Sequence, residues 1–253
     1  MRGKAIPLSA GRRFVADLVA ASAWTTKGVI IRRMNLAPLL AARAGQGERT
    51  PFTALLACGW ARVADGMPEL RRSWTAVPRA GLHEVPVSIA AIVVERDLDG
   101  EPTLQFARIR APDRLGPIET GRELKRLATT PLADIPDTAK LLRITRWPWP
   151  IRRLLWWIGL NVGRQRPNFF GTFGITSLAG EGARIGYAVH PLTSCLSPGP
   201  IAQDGSLEIK CSFDHRVFDG VLVARALERL EAELNGPVAL ALRADEAGPA
   251  PRT

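Results

Sequence analysis

The segment that decides the fold is Cys211-Ser212-Phe213-Asp214-His215-Arg216-Val217-Phe218-Asp219-Gly220. Before it, apolar and polar residues alternate from position 206, which is the period-two pattern of a half-buried strand. After it, apolar residues recur at helical spacing. Asp219 is the expected N-cap of this helix, and Gly236 its expected end. The pattern therefore predicts that His215 lies in a turn between a strand and a helix, outside any packed face.

A histidine in such a turn suits acyl transfer. Transfer from a thioester to a thiol, hydroxyl or amine needs a base for the nucleophile and donors that hold the oxyanion. An imidazole of ordinary pKa, about 6.5, can act on a thiol of pKa about 8.5 near neutral pH. Covalent catalysis is less favoured, because the sequence has no Gly-x-Ser-x-Gly elbow and no cysteine in an activating motif. His215 is therefore the candidate general base.

The segment resembles the His-x-x-x-Asp-Gly motif of the catalytic domain of dihydrolipoyl acyltransferases of 2-oxo acid dehydrogenase complexes, a motif shared with chloramphenicol acetyltransferase. The Asp-His-Arg-Val context is similar to the dihydrolipoyl branch. Further segments resemble that domain in family order: Ile6-Pro7-Leu8-Ser9 with Arg12-Arg13, Pro68-Glu69-Leu70 with Ser73-Trp74, Leu82-His83-Glu84, Val87-Ser88-Ile89-Ala90, and Gly171-Thr172-Phe173-Gly174-Ile175-Thr176-Ser177-Leu178. The resemblance spans roughly residues 5 to 236.

The resemblance implies an α/β fold, with a two-layer mixed β-sheet covered by helices, chloramphenicol acetyltransferase-like and trimeric. It also implies that the histidine and the oxyanion hydroxyl come from facing subunits. The family's full-length members carry a lipoyl domain and a partner-binding domain, and this sequence is expected to have neither. No lipoyl group is therefore expected on this chain.

The same resemblance assigns the other site residues. The oxyanion hydroxyl matches Thr176, with Ser177 as the adjacent alternative. Asp219 is implied to support the site by pairing with an arginine near the start of the domain, at Arg12 or its neighbour Arg13. Gly220 completes the motif. The remaining histidines, at positions 83 and 190, are assigned no role.

The local patterns predict alternating helices and strands without regular βαβ units. Strands are expected at 28–33, 87–95, 103–109, 172–177, 184–189 and 207–213, and helices at 36–44, 50–65 and 117–128. Asp97-Leu98-Asp99-Gly100 predicts a hairpin turn between the second and third of these strands. Residues 1–240 are expected to form one catalytic domain, and residues 241–253 a flexible tail.

The composition is consistent with a single-domain enzyme. At 253 residues and 46% hydrophobic, the chain can bury one large core. Three cysteines without Cys-x-x-Cys spacing indicate neither a disulfide framework nor a bound metal, and favour a reducing compartment. No signal peptide or spanning segment is recognisable, so a cytoplasmic protein, soluble or membrane-associated, is expected. The net charge of +10 suits an acyl donor that carries phosphate groups. The sequence shows no nucleic-acid-binding motif, so nucleic acid is not an expected partner.

The sequence departs from the family between about residues 138 and 168. This stretch holds four of the seven tryptophans, many arginines and no acidic residue. Its apolar centre, residues 154–162, is too short to span a bilayer. The composition suits a peripheral membrane contact, a lid over an apolar acyl chain, a subunit contact, or a packed helix with snorkelling arginines.

The sequence therefore predicts a coenzyme A-dependent acyltransferase, with a coenzyme A thioester as acyl donor and a small-molecule or carrier-bound acceptor. A second hypothesis is a non-catalytic trimeric scaffold or membrane-interface protein of the same fold. A third is an acyltransferase core that receives its acyl group from a separate lipoylated protein.

Overall fold

A six-stranded mixed β-sheet organises the chain in the computed structural model, which describes residues 7–23, 25, 27–163 and 165–246. The strands are β1 (Lys27–Asn35), β2 (Arg72–Thr75), β3 (Gly81–Glu84), β4 (Ile89–Leu98), β5 (Glu101–Arg110), β6 (Phe173–Ile175), β7 (Ser194–Pro198) and β8 (Ser206–Asp214). The helices are α1 (Ala10–Ser22), α2 (Ala37–Gly45), α3 (Phe52–Gly66), α4 (Pro112–Thr129), α5 (Pro136–Thr145), α6 (Trp149–Asn161), α7 (Arg166–Phe170), α8 (Gly220–Glu233) and α9 (Ala239–Glu246).

The sheet order is β1-β8-β7-β6-β4-β5. β6 runs parallel to both β4 and β7, whereas the other neighbouring strands are antiparallel. β2 and β3 form a separate hairpin. The predicted α/β fold with a mixed sheet covered by helices is confirmed.

The main core lies between one face of the sheet and helices α3, α8 and α9. Helix α3 is buried along most of its length, and Trp60 at its centre is fully enclosed. Gly59 permits this packing, because a Cβ there would lie 2.9 Å from Leu234 Cδ2. This core fixes the positions of β8 and of the helix that follows it.

A second, smaller cluster covers the β4–β5 half of the opposite sheet face. Helices α1, α5, α6 and α7 supply it, with Phe14, Trp156 and Phe170 packed over Ala91 of β4 and Phe106 of β5. Among the described residues no comparable apolar cluster covers the β1–β8 half of this face: the segment before β7 covers Ser212 of β8, and β1 exposes alternate residues.

Most predicted elements appear in the structure. The hairpin prediction is confirmed: β4 and β5 are joined at Asp99 and Gly100, whose φ angles of 58° and 80° are those of a type I′ turn. Asp219 is the N-cap residue of α8, as predicted. The short helix predicted at 36–44 corresponds to α2, and the strand predicted at 28–33 to β1.

The strand predicted at 184–189 is wrong. These residues alternate in polarity but form irregular chain with a bend at 186–187, and Tyr187 and Val189 are exposed. The strand between β6 and β8 is instead β7, in which all five residues are buried. A strand buried on both faces shows no alternation, so its pattern was not recognised.

The predicted helix end at Gly236 is also wrong. The chain passes through a π-helical turn, Leu234–Val238, and continues as α9. Leu234, Val238 and Leu242 remain in the main core, and this burial holds the continued helix against α2 and α4. The boundary expected at residue 241 therefore falls inside a helix; residues 247–253 lie outside the described part of the chain.

Candidate active site

His215 lies in the turn that directly follows β8, as the sequence predicts. Its ring packs on Phe213 with 4.9 Å between centroids, and 49% of the side chain is exposed. Gly28 of β1 leaves room for this arrangement, because a Cβ there would lie 2.5 Å from Phe213 Cζ and 2.9 Å from His215 Cδ2. The imidazole is thus supported on one side and accessible on the other.

The turn is braced by an ion pair between the residues on either side of His215. Asp214, fully buried, accepts hydrogen bonds from the backbone N and Nε of Arg216 at Oδ1 and from Nη2 at Oδ2, at 3.1, 2.9 and 2.7 Å. The guanidinium also lies over the Trp74 ring, 5.5 Å from its centroid. A bidentate pair of this kind fixes geometry as well as charge.

Asp219 contributes a carboxylate at the start of α8. Its Oδ1 lies 3.7 Å from His215 Nδ1, and its side chain is 88% exposed. Gly220, the next residue, lets α8 begin close to β1, since a Cβ there would lie 3.2 Å from Ile30 Cδ1. At this separation the carboxylate lies near Nδ1 but is beyond hydrogen-bond distance, so its effect on the imidazole is electrostatic.

The structure does not pair Asp219 with Arg12 within one chain. Arg12 lies on α1 beside the β4–β5 hairpin, lining a groove with Leu98 and Glu101. No ion pair joins Arg12 or its neighbour Arg13 to Asp219 among the described residues, because α1 packs on β5, at the opposite edge of the sheet from the His215 turn.

Thr176 follows β6, and its hydroxyl has no hydrogen-bond partner in the described part of the chain. Its backbone N donates to Leu196 O at 3.0 Å, which continues the parallel ladder with β7. By alternation Thr176 shares the sheet face of Gly174, opposite the main core. The Ser177 hydroxyl instead accepts a hydrogen bond from Ala179 N at 3.2 Å, so the neighbouring hydroxyl is engaged in the local turn.

The strand register separates His215 from Thr176 in one chain. Phe173 of β6 pairs with Ser194 of β7, which pairs with Phe213 of β8. These three paired residues lie side by side across the sheet. Along the strand direction, Thr176 lies three residues to one side of them, and His215 lies two residues to the other side. At about 3.3 Å per residue and 4.8 Å per strand, the two are roughly 16 Å apart along the strands and about 10 Å across them. One copy of the chain does not bring these two side chains together.

The cysteines and the possible metal-ligating side chains were also located relative to this turn. All three thiols are buried, and burial raises the pKa of Cys58 and of Cys195 to about 12. Such thiols are not nucleophiles at neutral pH. No group of three or more His, Cys, Asp or Glu side chains is placed to hold a metal ion in the ranges that the structure describes.

Comparison with known proteins finds similarity in three-dimensional fold but none in sequence family. No family model and no curated protein matches the sequence. A probable dihydrolipoamide acetyltransferase from Listeria monocytogenes is 18% identical, with a TM-score of 0.67 over 93% of this chain and 95% of that one. The cubic core of the pyruvate dehydrogenase multienzyme complex is 18% identical, with a TM-score of 0.69 over 95% and 94%. The chain has the fold of dihydrolipoamide acetyltransferase cores.

Chloramphenicol acetyltransferase is a more distant neighbour, 12% identical with a TM-score of 0.51 over 87% of this chain and 94% of that one. The chloramphenicol acetyltransferase-like fold inferred from the sequence is therefore confirmed. In this acetyltransferase fold, the segment around His215 keeps a strand–turn–helix conformation, and the segment around Thr176 occupies an inner position of the sheet.

A buried polar network beneath the His215 turn was missed by sequence reasoning. Lys27 Nζ lies 3.3 Å from His190 Nδ1 and donates to Leu192 O at 2.8 Å. His190 Nε2 lies 2.6 Å from Ser212 Oγ. The network joins the start of β1, the segment before β7 and the end of β8. Its three side chains are more than twenty residues apart in sequence and share no motif, so no local signal marks them.

Burial dominates the electrostatics of this network. It lowers the pKa of Lys27 to about 7, although the carboxylate of Asp214 acts in the opposite direction. It also lowers the pKa of His190 well below its usual value, with the Lys27 charge as a further cause. Both groups are therefore held toward their neutral forms in the folded chain.

The substitution Lys27→Met tests this electrostatic assignment. Between about pH 7 and pH 10 the unfolded chain keeps the Lys27 proton and the folded chain does not, so the wild-type free energy of unfolding should rise with pH. This contribution is at most about 1.4 kcal/mol per pH unit. Urea unfolding across this range should show a smaller rise for Lys27→Met, while Lys125→Met, at an exposed lysine, should follow the wild type. Parallel curves for all three proteins would refute the assignment.

Proposed function

We propose that this chain is a coenzyme A-dependent acyltransferase whose active site forms between two copies. The observation that carries the proposal is the ion-paired turn that presents an accessible His215 in an acetyltransferase fold, together with a Thr176 hydroxyl that has no hydrogen-bond partner among the described residues. A base and an oxyanion donor are the two groups that acyl transfer requires. Since one copy separates them, a facing copy is needed to complete the pair.

The exposed part of the sheet supports such an assembly. Val29 and Ile31 of β1 are exposed there, next to Gly28 and therefore near His215. Leu178, close to Thr176, is exposed as well. Exposed apolar residues grouped beside functional side chains are typical of subunit contacts. We propose a homotrimer, the cyclic assembly implied by the resemblance, in which each contact joins the His215 region of one copy to the Thr176 region of the next.

The proposed reaction proceeds in two steps. His215 takes a proton from the acceptor thiol, hydroxyl or amine as the acceptor atom bonds to the thioester carbonyl carbon, and the carbonyl electron pair moves to the oxygen. Thr176 of the facing copy donates a hydrogen bond to that oxyanion. The intermediate then collapses, the carbon–sulfur bond breaks, and the leaving thiolate of coenzyme A receives the proton from His215. Asp219 stabilises the imidazolium formed between the steps.

Substitutions at the two proposed groups should separate catalysis from binding. His215→Ala should reduce turnover by about 10²- to 10⁴-fold while the protein stays folded and trimeric.

Thr176→Val should reduce turnover by about 10²- to 10³-fold with little change in donor affinity, because an oxyanion donor acts in the transition state. The measurement is release of free coenzyme A thiol from a panel of acyl thioesters with candidate acceptors.

Ser177→Ala is the matched control, since its hydroxyl is already engaged by Ala179 N. If Ser177→Ala carries the loss and Thr176→Val does not, the oxyanion assignment is wrong by one residue. No turnover by the wild-type protein with any thioester would favour the non-catalytic scaffold. Turnover with dihydrolipoamide alone as acceptor would favour a core served by a separate lipoylated protein.

We also propose that α6 docks on anionic membranes, because its outer face is apolar and exposed. Trp156 is buried against Phe14 and Phe170, so the packed-helix interpretation holds for the inner face. The outer face and the preceding turn expose the apolar side chains Trp147, Trp149, Ile151, Leu154, Trp157 and Ile158. The exposed Arg143 and Arg146 lie on adjacent α5 and its C-cap. No described helix is long and apolar enough to cross a membrane.

Vesicle sedimentation tests this membrane contact. Wild-type protein should bind vesicles that contain phosphatidylserine, and salt should weaken the binding. Arg143→Gln with Arg146→Gln should weaken it about tenfold or more, given about 1 kcal/mol per basic residue near the surface. Trp149→Ser with Trp157→Ser should weaken it as well. Leu104→Ser with Leu115→Ser, at exposed leucines elsewhere, is the control. Unchanged vesicle binding with a weakened trimer would instead identify this face as a subunit contact.

A further inference from the structure

A cavity of about 190 Å³ lies between α1, β5, α5 and α7. Its apolar walls include Phe14, Phe106, Leu141, Phe169 and Phe170. A dry cavity of about 150 Å³ is known to hold a benzene molecule, so this one has room for an aromatic ring or a short aliphatic chain. Neither His215, Asp219 nor Thr176 lines it.

A buried amide without a partner also lines this cavity. Gln105 of β5 is 3% exposed, and its Nε2 has no hydrogen-bond partner among the described residues. Leaving a buried polar group unpaired costs about 1–3 kcal/mol, and native proteins seldom do so. An oxygen atom of a ligand in the cavity would satisfy this donor.

The charges around the cavity favour an anion. Arg108 is already neutralised, because it pairs with Asp137 and donates to Asn168 O. Lys140 is the cation that remains: it lies 4.8 Å from the Phe169 ring centroid and has no carboxylate partner among the described residues. A ligand carboxylate can therefore pair with Lys140 without displacing an existing ion pair.

From the aromatic walls, the unpaired Gln105 amide and the available Lys140 ammonium, we infer that this cavity binds a small carboxylate with a compact apolar body. The body is about the size of a benzene ring. Lys140 pairs with the carboxylate charge, and Gln105 donates a hydrogen bond to a ligand oxygen. Lys140 and Leu141 of α5 belong to the stretch of about residues 138–168 where the sequence departs from the family it resembles.

Calorimetric titration of the full chain tests this inference, with no acyl thioester present. Benzoate and hexanoate are the probes; benzamide and benzylamine match benzoate in size but not in charge. Benzoate should bind at least about tenfold more tightly than benzylamine. Lys140→Gln should weaken benzoate binding about tenfold and leave benzamide binding unchanged. Lys125→Gln, at an exposed lysine outside the cavity, is the matched control.

Two further variants address the interior of the cavity. Leu141→Trp fills the apolar space and should weaken benzoate and benzamide alike. Gln105→Leu removes the amide donor and should weaken both ligands, since each offers an oxygen acceptor. Lys140 is exposed, so Lys140→Gln should fold like the wild type. The inference can therefore be tested with this variant even if a variant of the cavity interior does not fold. Equal binding of benzoate and benzylamine, or equal effects of Lys140→Gln and Lys125→Gln, would overturn the inference. Neither result bears on acyl transfer at His215.

Discussion

The pairing register of β6, β7 and β8 is the constraint on which the whole site depends. It places His215 and Thr176 at opposite ends of two strands that flank β7, so the separation between them is set by the backbone ladder and not by side-chain rotamers. A shift of one residue in the β6–β7 pairing would move Thr176 to the other sheet face, and a shift in the β7–β8 pairing would move the side chains of β8. The buried strand β7 lies between the two elements and specifies both pairings, and its complete burial makes such a shift costly.

The His215 turn is held by polar contacts as well as by packing. Asp214 with Arg216, and Lys27 with His190 and Ser212, connect three segments that are distant in sequence. Burying such groups is expensive unless each is paired, and here every polar group named has a partner. Our hypothesis is that this network adds little to the free energy of unfolding and serves mainly to fix the position of the turn. The imidazole of His215 can then keep its orientation while it remains exposed.

Much of the site could be predicted from local pattern. The change from period two to helical spacing around His215 identifies the strand, the turn and α8 without any knowledge of the rest of the chain. The Asp99-Gly100 turn is similarly local. What failed depends on distant contacts. Arg184–Val189 alternates like a strand but has no strand to pair with, and the pairing of Arg12 with Asp219 required elements that pack at opposite sheet edges.

The sequence also did not show which side of a helix would be buried or where a helix would end. Trp156 and Trp157 are adjacent and chemically identical, yet one is in the core and the other is exposed, because α1 and α7 pack on one side of α6 alone. Likewise, Gly236 precedes a proline and looks like a helix end. Burial of Leu234, Val238 and Leu242 outweighs that local signal, so the helix continues through a π turn.

The central claim, that one active site needs two copies of the chain, is tested most directly by mixing two inactive variants. His215→Ala keeps Thr176, and Thr176→Val keeps His215. When equal amounts are unfolded and refolded together into random trimers, about a quarter of the contacts join an intact His215 to an intact Thr176. The account predicts recovery of about a quarter of wild-type turnover in the mixture. A mixture that forms mixed trimers but is no more active than its parents would contradict it.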